Sequence, residues 1–341
     1  CIYRDGKYYF YFPAPAKDTT YGRGFFIGVA ISDNPYGPFT PEPEPIKGVR
    51  GIDPNVFIDK DGQAYLYWSA RNIFVAKLKE NMIELETEPL IIENLPDKGL
   101  KEGPFVFEKN GIYYLTFPHV ENETERLEYA IADNPMGPFE MVGVIMDEST
   151  TGCWTNHHSI IEFENQWYLF YHHNDLSPHF DKNRSVRIDS LFFNEDGTIQ
   201  KVIPTLRGVG VTDASSKIQI DRFSHISSEG ASIAFNDTLN TFDGWMTIFN
   251  KENAWIQFNS VDFGNKKYQS INIRTLSNTG GTIQIKLKDI NGPVLLDIKI
   301  PKQNDWDIIK VPINISTQGI HNLVVLLKDD KNVEIDWISF E

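Results

Sequence analysis

RDGKYYFYF (4–12) returns as KDGQAYLYW (60–68), as EKNGIYYLTF (108–117) and as FENQWYLFYH (163–172). Each copy is a polar turn carrying Gly or Asn, then a strand rich in Tyr, Phe and Trp, which is the signature of a tight β-hairpin. The spacings from Gly6 to Gly62, Gly62 to Gly111 and Gly111 to Asn165 are 56, 49 and 54 residues. An outer segment repeats in step with them, SDNPYGPF (32–39) coming back as ADNPMGPF (132–139). A unit of short strands cannot bury its apolar face alone and must stack on its copies. A β-solenoid needs a shorter period and a sandwich does not repeat this closely, so the pattern predicts blades of a β-propeller. RSVRIDSLFFNEDGTIQKV (184–202) supplies the remaining strands of the fourth blade.

The pattern breaks at LRGVGVTDASSK (206–217), where Gly, Ser and Asp collect, and this stretch reads as a linker. Beyond it come alternating strands such as WIQFNSVDF, GTIQIKLKD, HNLVVLLKD and VEIDWISF, with turn signals between them. That texture predicts a β-sandwich. The expectation is an all-β chain: a propeller over 1–205, a linker over 206–217 and a sandwich over 218–341.

A net charge of −15 argues against nucleic acid or an anionic membrane as partner, because the chain would neutralise neither. No apolar run approaches the roughly 20 residues of a membrane span. Aromatics make up 13% of the chain, and they either pack as sheet core, which accounts for most of them, or stack on the rings of a neutral ligand. Cys1 and Cys153 form neither a disulfide framework nor a zinc knuckle. The chain opens inside a strand-like run, CIYRDGKYYFYF, and reads as a fragment, so no signal peptide is visible.

In a propeller the innermost strand of each blade starts near the axis, so equivalent positions in successive blades converge. Asp53 lies nine residues before Gly62, and Glu102 nine residues before Gly111. His157, in TNHHSIIEF, holds the matching position of the next blade. Each has a plain alternative: Asp-Pro starts turns, Glu102 precedes a turn, and His157 suits a core histidine bonded to backbone. Their shared repeat position instead points to one polar pocket.

GIDPNVFIDKDGQAYLYW, KEGPFVFEKNGIYYLTF and WTNHHSIIEFENQWYLFYHH together resemble glycoside hydrolase family 43 over residues 1 to about 205. The resemblance implies a five-bladed-type propeller, of which about four blades are present. It makes Glu102 the general acid and Asp53 the residue that orients it and tunes its pKa, the like charge raising it. The family's base Asp comes from a first blade that has no counterpart here, so the chain as given is expected to be nearly inactive and no base is nominated. Members invert the anomeric carbon. The resemblance also places Arg184 at the substrate pocket, or on a strand surface, and His157 beside an axial calcium, or in a structural role. Phe117 and Trp154 either wall the sugar or pack.

Residues 218–341 resemble a family 6 carbohydrate-binding module of jelly-roll type, through AWIQFNSVDFG, TGGTIQIKLKDINGPVLLDIKIP and VEIDWISF. There Trp255 and Trp306 match a pair that sandwiches sugar, or are ordinary packing. Glu334 stands where relatives carry Asn, with Asn332 nearby as a substitute, and Asp221 and Asp336 match ligands of a structural calcium. No organic cofactor is implied. The function implied is an exo-acting, inverting α-L-arabinofuranosidase on arabinoxylan, or a β-xylosidase, working outside the cell or in the periplasm on plant cell-wall polysaccharide. A catalytically inactive binding scaffold with a degenerate propeller is the alternative.

Overall fold

Three of the four repeated turns close through two consecutive residues with left-handed backbone: Asp5 and Gly6 (φ 49° and 81°), Asn110 and Gly111 (56° and 86°), Glu164 and Asn165 (50° and 63°). Their sense matches the twist of paired strands, which is why these tight turns start hairpins. In the computed structural model, which describes residues 1–15, 19–149, 152–174, 182, 184–205, 207–240 and 243–341, every one of the four hairpins forms.

The first blade runs β1 (Ile2–Arg4), β2 (Lys7–Pro15), β3 (Phe25–Ser32) and β4 (Thr40–Pro41). The second has β5 (Ile52–Ile58), β6 (Ala64–Ala70), β7 (Asn72–Leu78) and β8 (Leu90–Ile91). The third has β9 (Phe105–Lys109), β10 (Ile112–Val120), β11 (Glu125–Ala132) and β12 (Glu140–Met146). The fourth has β13 (Ser159–Phe163), β14 (Gln166–His173) and β15 (Ser185–Leu191), extended by a bridge between Phe193 and Ile199. Neighbours in sequence are neighbours in each sheet, antiparallel throughout, as a propeller blade requires.

Many of the propeller's aromatics are core between blades. Tyr67, Val75, Leu115 and Phe117 form one buried cluster across the second and third blades, and Tyr114, Leu127, Leu169 and Tyr171 another across the third and fourth. The second strand of each of the first three blades also sends a tyrosine hydroxyl to backbone of the next blade. Tyr11 donates to Met82 O (2.6 Å), Tyr67 to Pro135 O (2.5 Å) and Tyr114 to Gly197 O (2.7 Å). A buried ring with a satisfied polar end joins the blades while leaving no phenol unpaired.

The chain divides into two units, Cys1–Ile203 and Pro204–Glu341. The second begins earlier than the sequence pattern indicates. Within the expected linker, β16 (Thr212–Asp213) pairs in parallel with β21 (Trp255–Asp262), and Ala214 is fully buried in the second unit's core. The described residues of 206–217 are therefore part of the sandwich and not a linker. One sheet orders β16, β21, β26 (Ile320–Leu327), β23 (Gly281–Leu287) and β24 (Val294–Ile300), with β18 (His225–Ile226) also on β21. The other orders β19 (Ala231–Phe235), β20 (Trp245–Phe249), β27 (Val333–Phe340), β22 (Tyr268–Ser277) and β25 (Gln303–Ile315), with β17 (Ile218–Gln219) on β27. Alternate residues of both, among them Phe258, Ile273, Ile285, Val325 and Ile335, fill one shared core, so the expected sandwich holds. No helix of the described residues is long and apolar enough to cross a membrane.

Candidate active site

Asp53 sits in β5 at a break in register between Ile52 and Asn55, and its backbone is left-handed at φ 55°. A bulge of this kind re-aims a side chain, and a non-glycine residue held in this region marks a position fixed by its surroundings. The carboxylate accepts the Gly103 N–H at Oδ2 (3.2 Å) and lies 3.8 Å from His157 Nδ1 at Oδ1. One residue of the second blade thus touches the start of the third and of the fourth. Two residues on, Asn55 Oδ1 accepts the Val106 N–H (3.0 Å), tying the same two blades again.

Glu102 precedes β9, with its N–H donated to Pro118 O (3.3 Å). Gly103 is at φ 55°, and a Cβ there would stand 3.0 Å from Pro118 Cγ and 3.4 Å from His157 Cε1. Glycine here lets the strand holding the acid pass close to His157. Burial raises the Glu102 carboxyl above its ordinary range, and the negative charge of Asp53 adds to the rise. A bond from Glu125 and the charges of His157 and Arg184 work in the opposite sense without cancelling it. Asp53 thus acts on the Glu102 carboxyl in the raising sense, with desolvation the larger cause.

Asp53, Glu102 and His157 come together, as their repeat positions require, and the charge of Arg184, which precedes β15, reaches Glu102 as well. His158, the neighbour of His157, does not join them. It is 5% exposed, its Nε2–H donates to Thr116 Oγ1 (2.6 Å), whose own proton goes to Phe105 O, and burial pushes its pKa down to about 3. It is the core histidine of the pair. His172 lies behind the site, its Nδ1 accepting the His157 N–H (3.4 Å), with its pKa lowered to about 4 by burial and then by the charges of Arg184 and His157. Trp154 is 41% exposed on the segment leading to His157. Phe117 does not wall the site: it is fully buried between blades, and packing is its role. Phe117→Ala should cost about 3–5 kcal/mol of stability in urea unfolding, with KM for any substrate unchanged.

Glu125, which opens β11, was not foreseen. It is 2% exposed, its carboxyl bonds that of Glu102, and its pKa is raised to about 8, chiefly by burial and then by the charge of Glu102 and the bond with it. The sequence carried no periodic signal for it, since it begins the third strand of its blade.

The sandwich residues are placed differently. Trp255 stands on β21 of one sheet and Trp306 on β25 of the other. The Arg274 guanidinium lies 4.8 Å from the Trp306 ring centre and also pairs with Asp336. One face of Trp306 is thereby covered. Asn332 donates its N–H to Thr279 Oγ1 (3.0 Å), while its buried Oδ1 has no hydrogen-bond partner. Asp221 holds Arg222 (3.0 Å) as Asp336 holds Arg274. Calcium takes 6–8 oxygen ligands. Two carboxylates already neutralised by arginine, and a histidine facing Asp53, do not fit it. Among the described residues no group of three or more His, Cys, Asp or Glu is arranged to hold a metal.

A half-buried carboxyl of raised pKa beside a second carboxylate is suited to give up a proton to a leaving group, the chemistry of a hydrolase. The Glycosyl hydrolases family 43 profile matches residues 1–199, and that of Carbohydrate binding module (family 6) matches 225–341. The chain is 39% identical over 242 residues to a xylosidase/arabinosidase of Humicola insolens, spanning 58% of this chain and 71% of that one. It is 36% identical over 238 residues to a xylosidase/arabinosidase of Bacteroides ovatus, 58% and 70% of the two chains. A solved family 43 β-xylosidase/α-arabinofuranosidase from a compost microbial metagenome, in complex with xylotriose, superposes with a TM-score of 0.53 at 35% identity, over 59% of this chain and 71% of that one. This chain belongs to glycosyl hydrolase family 43 and carries a family 6 carbohydrate-binding module.

Proposed function

We propose that the propeller removes single arabinofuranosyl or xylosyl groups from arabinoxylan or its oligosaccharides, by inversion, with arabinofuranose the first choice. The observation that carries this reading is the raised, half-buried Glu102 carboxyl beside Asp53. A carboxyl kept protonated at working pH can give its proton to the glycosidic oxygen as the bond to the anomeric carbon breaks. Water then attacks the opposite face of the sugar and passes its own proton to a base carboxylate. Neither Asp53 nor Glu125 is assigned that role, since both lie on the acid's side, bonded to its strand or its carboxyl. Arg184 favours the ionised form of Glu102, which is the form left when the proton has gone. The names of the relatives support the sugar class, being xylosidases and arabinosidases.

The test is hydrolysis of nitrophenyl α-L-arabinofuranoside and β-D-xyloside by the full-length enzyme, with the anomer of the released sugar read by proton NMR. Faster arabinoside cleavage with inverted product is the expected result. Retention of configuration, or activity confined to other sugars, would overturn it. We propose that the enzyme works outside the cell or in the periplasm, a reading supported by the size of the polymer, which cannot cross a membrane.

The sandwich is proposed to hold the enzyme on insoluble polysaccharide, raising its local concentration without touching the chemistry. Removing residues 204–341 should leave turnover of soluble aryl glycosides within about twofold and lower activity on insoluble xylan about tenfold or more. Trp255→Ala or Trp306→Ala should weaken pull-down on xylan. An isolated sandwich that binds no xylan or arabinan would contradict this.

A further inference from the structure

Glu125 lies at the meeting of three contacts. Its N–H donates to Trp154 O (3.0 Å), its Oε2 accepts the Asn156 N–H (2.5 Å), and its carboxyl bonds that of Glu102. Its other oxygen, Oε1, is buried and receives no N–H or hydroxyl donor. Arg126, next in the chain, is committed to Glu121 and Glu128. His157 and Arg184 act on Glu102, while the charge of Asp53 reaches both acids. Two carboxylates cannot bond each other without a proton between them, and a buried ionised oxygen left unpaired is costly. The arrangement is satisfied when Glu125 is neutral and its O–H points at Glu102.

We propose that Glu125 is a positioning residue of the hydrolytic reaction, holding Glu102 through a proton donated from its own buried carboxyl and holding the Trp154–His157 segment through its second oxygen. This rests on Glu102 being the proton donor. When Glu102 gives its proton to the leaving oxygen, the electrons of the C–O bond go to that oxygen and Glu102 becomes a carboxylate. The Glu125 O–H, which keeps its proton throughout, stabilises that carboxylate as it forms. With a pKa raised to about 8, Glu125 remains a donor through neutral pH and ceases to be one above it.

The experiment is a titration of glutamate side chains labelled with ¹³C at the carboxyl, in wild type, Glu125→Gln and Glu125→Ala, with kcat and KM of the full-length enzyme measured beside it. Gln keeps an acceptor for Asn156 and a donor for Glu102, so kcat should stay within about tenfold while the ionisation near pH 8 disappears. In Glu125→Ala, Glu102 loses its donor. Its midpoint should rise by about one pH unit and kcat fall about tenfold or more, with KM within about threefold. An unchanged Glu102 midpoint in a folded Glu125→Ala protein would overturn the proposal. So would an ionisation near pH 8 that persists in Glu125→Gln, a variant that keeps the native shape should the alanine not fold. The titration needs no turnover, so a full-length protein that cleaves no glycoside would sink the acid assignment separately from the Glu102–Glu125 contact.

Discussion

Glu102→Gln in the full-length enzyme is expected to lower kcat on xylo- or arabino-oligosaccharides by about 10²–10⁴-fold, the usual contribution of a positioned general acid. A sugar leaving group is a poor one, so without a proton its departure is slow. The same variant should lose the alkaline limb of its pH–rate profile, because that limb reports the loss of the Glu102 proton in the wild type. Its thermal stability should hold or improve: a half-buried carboxyl bonded to a second carboxyl is replaced by an amide whose carbonyl oxygen accepts the Glu125 O–H. Kinetics across pH 4–9 and a melting curve check all three points.

The second large effect is Asp53→Asn. Asparagine tolerates the left-handed backbone at this position and keeps an acceptor for the Gly103 N–H, so geometry is preserved and charge alone is removed. The negative charge of Asp53 raises the Glu102 pKa, so removing it lowers that pKa, and the working, protonated form is lost at a lower pH. The alkaline limb should move down, costing about ten- to a hundredfold in kcat/KM at pH 7 and much less at pH 5. Burial, the larger cause of the raised pKa, stays in place, which is why activity at acid pH survives. A variant inactive at every pH would mean that Asp53 mainly orients the acid; an unmoved limb would mean that its charge does not reach Glu102.

What was legible in the sequence was local or periodic. Turn chemistry at Asn110–Gly111 and Glu164–Asn165 is decided by a few residues, and the hairpins followed from it. The convergence of Asp53, Glu102 and His157 followed from repeat position, because equivalent points of stacked blades meet near one axis. Glu125 lay outside that logic: it reaches Glu102 from another strand of the same blade, and no spacing rule links the two. Phe117 was ambiguous for a related reason, since alternation along β10 says which residues share a face but not whether that face meets a blade or a ligand. The segment 206–217 was misread because Gly, Ser and Asp signal turns, whereas its pairing of Thr212 with Val261 depends on a partner far along the chain. Arg274 above Trp306 is likewise a contact between β22 and β25 that composition does not disclose.

In the proposed reaction Glu102 delivers the proton that lets the glycosidic bond break. Rates of hydrolysis for a series of aryl glycosides, plotted against the pKa of the departing phenol for wild type and Glu102→Ala, test this most directly. Wild type should show a shallow dependence, because protonation masks the difference between good and poor leaving groups. Glu102→Ala should fall steeply as that pKa rises, approaching wild type only for the most acidic phenols. Two parallel lines, with the variant uniformly slower or no slower at all, would mean that Glu102 is not the proton donor.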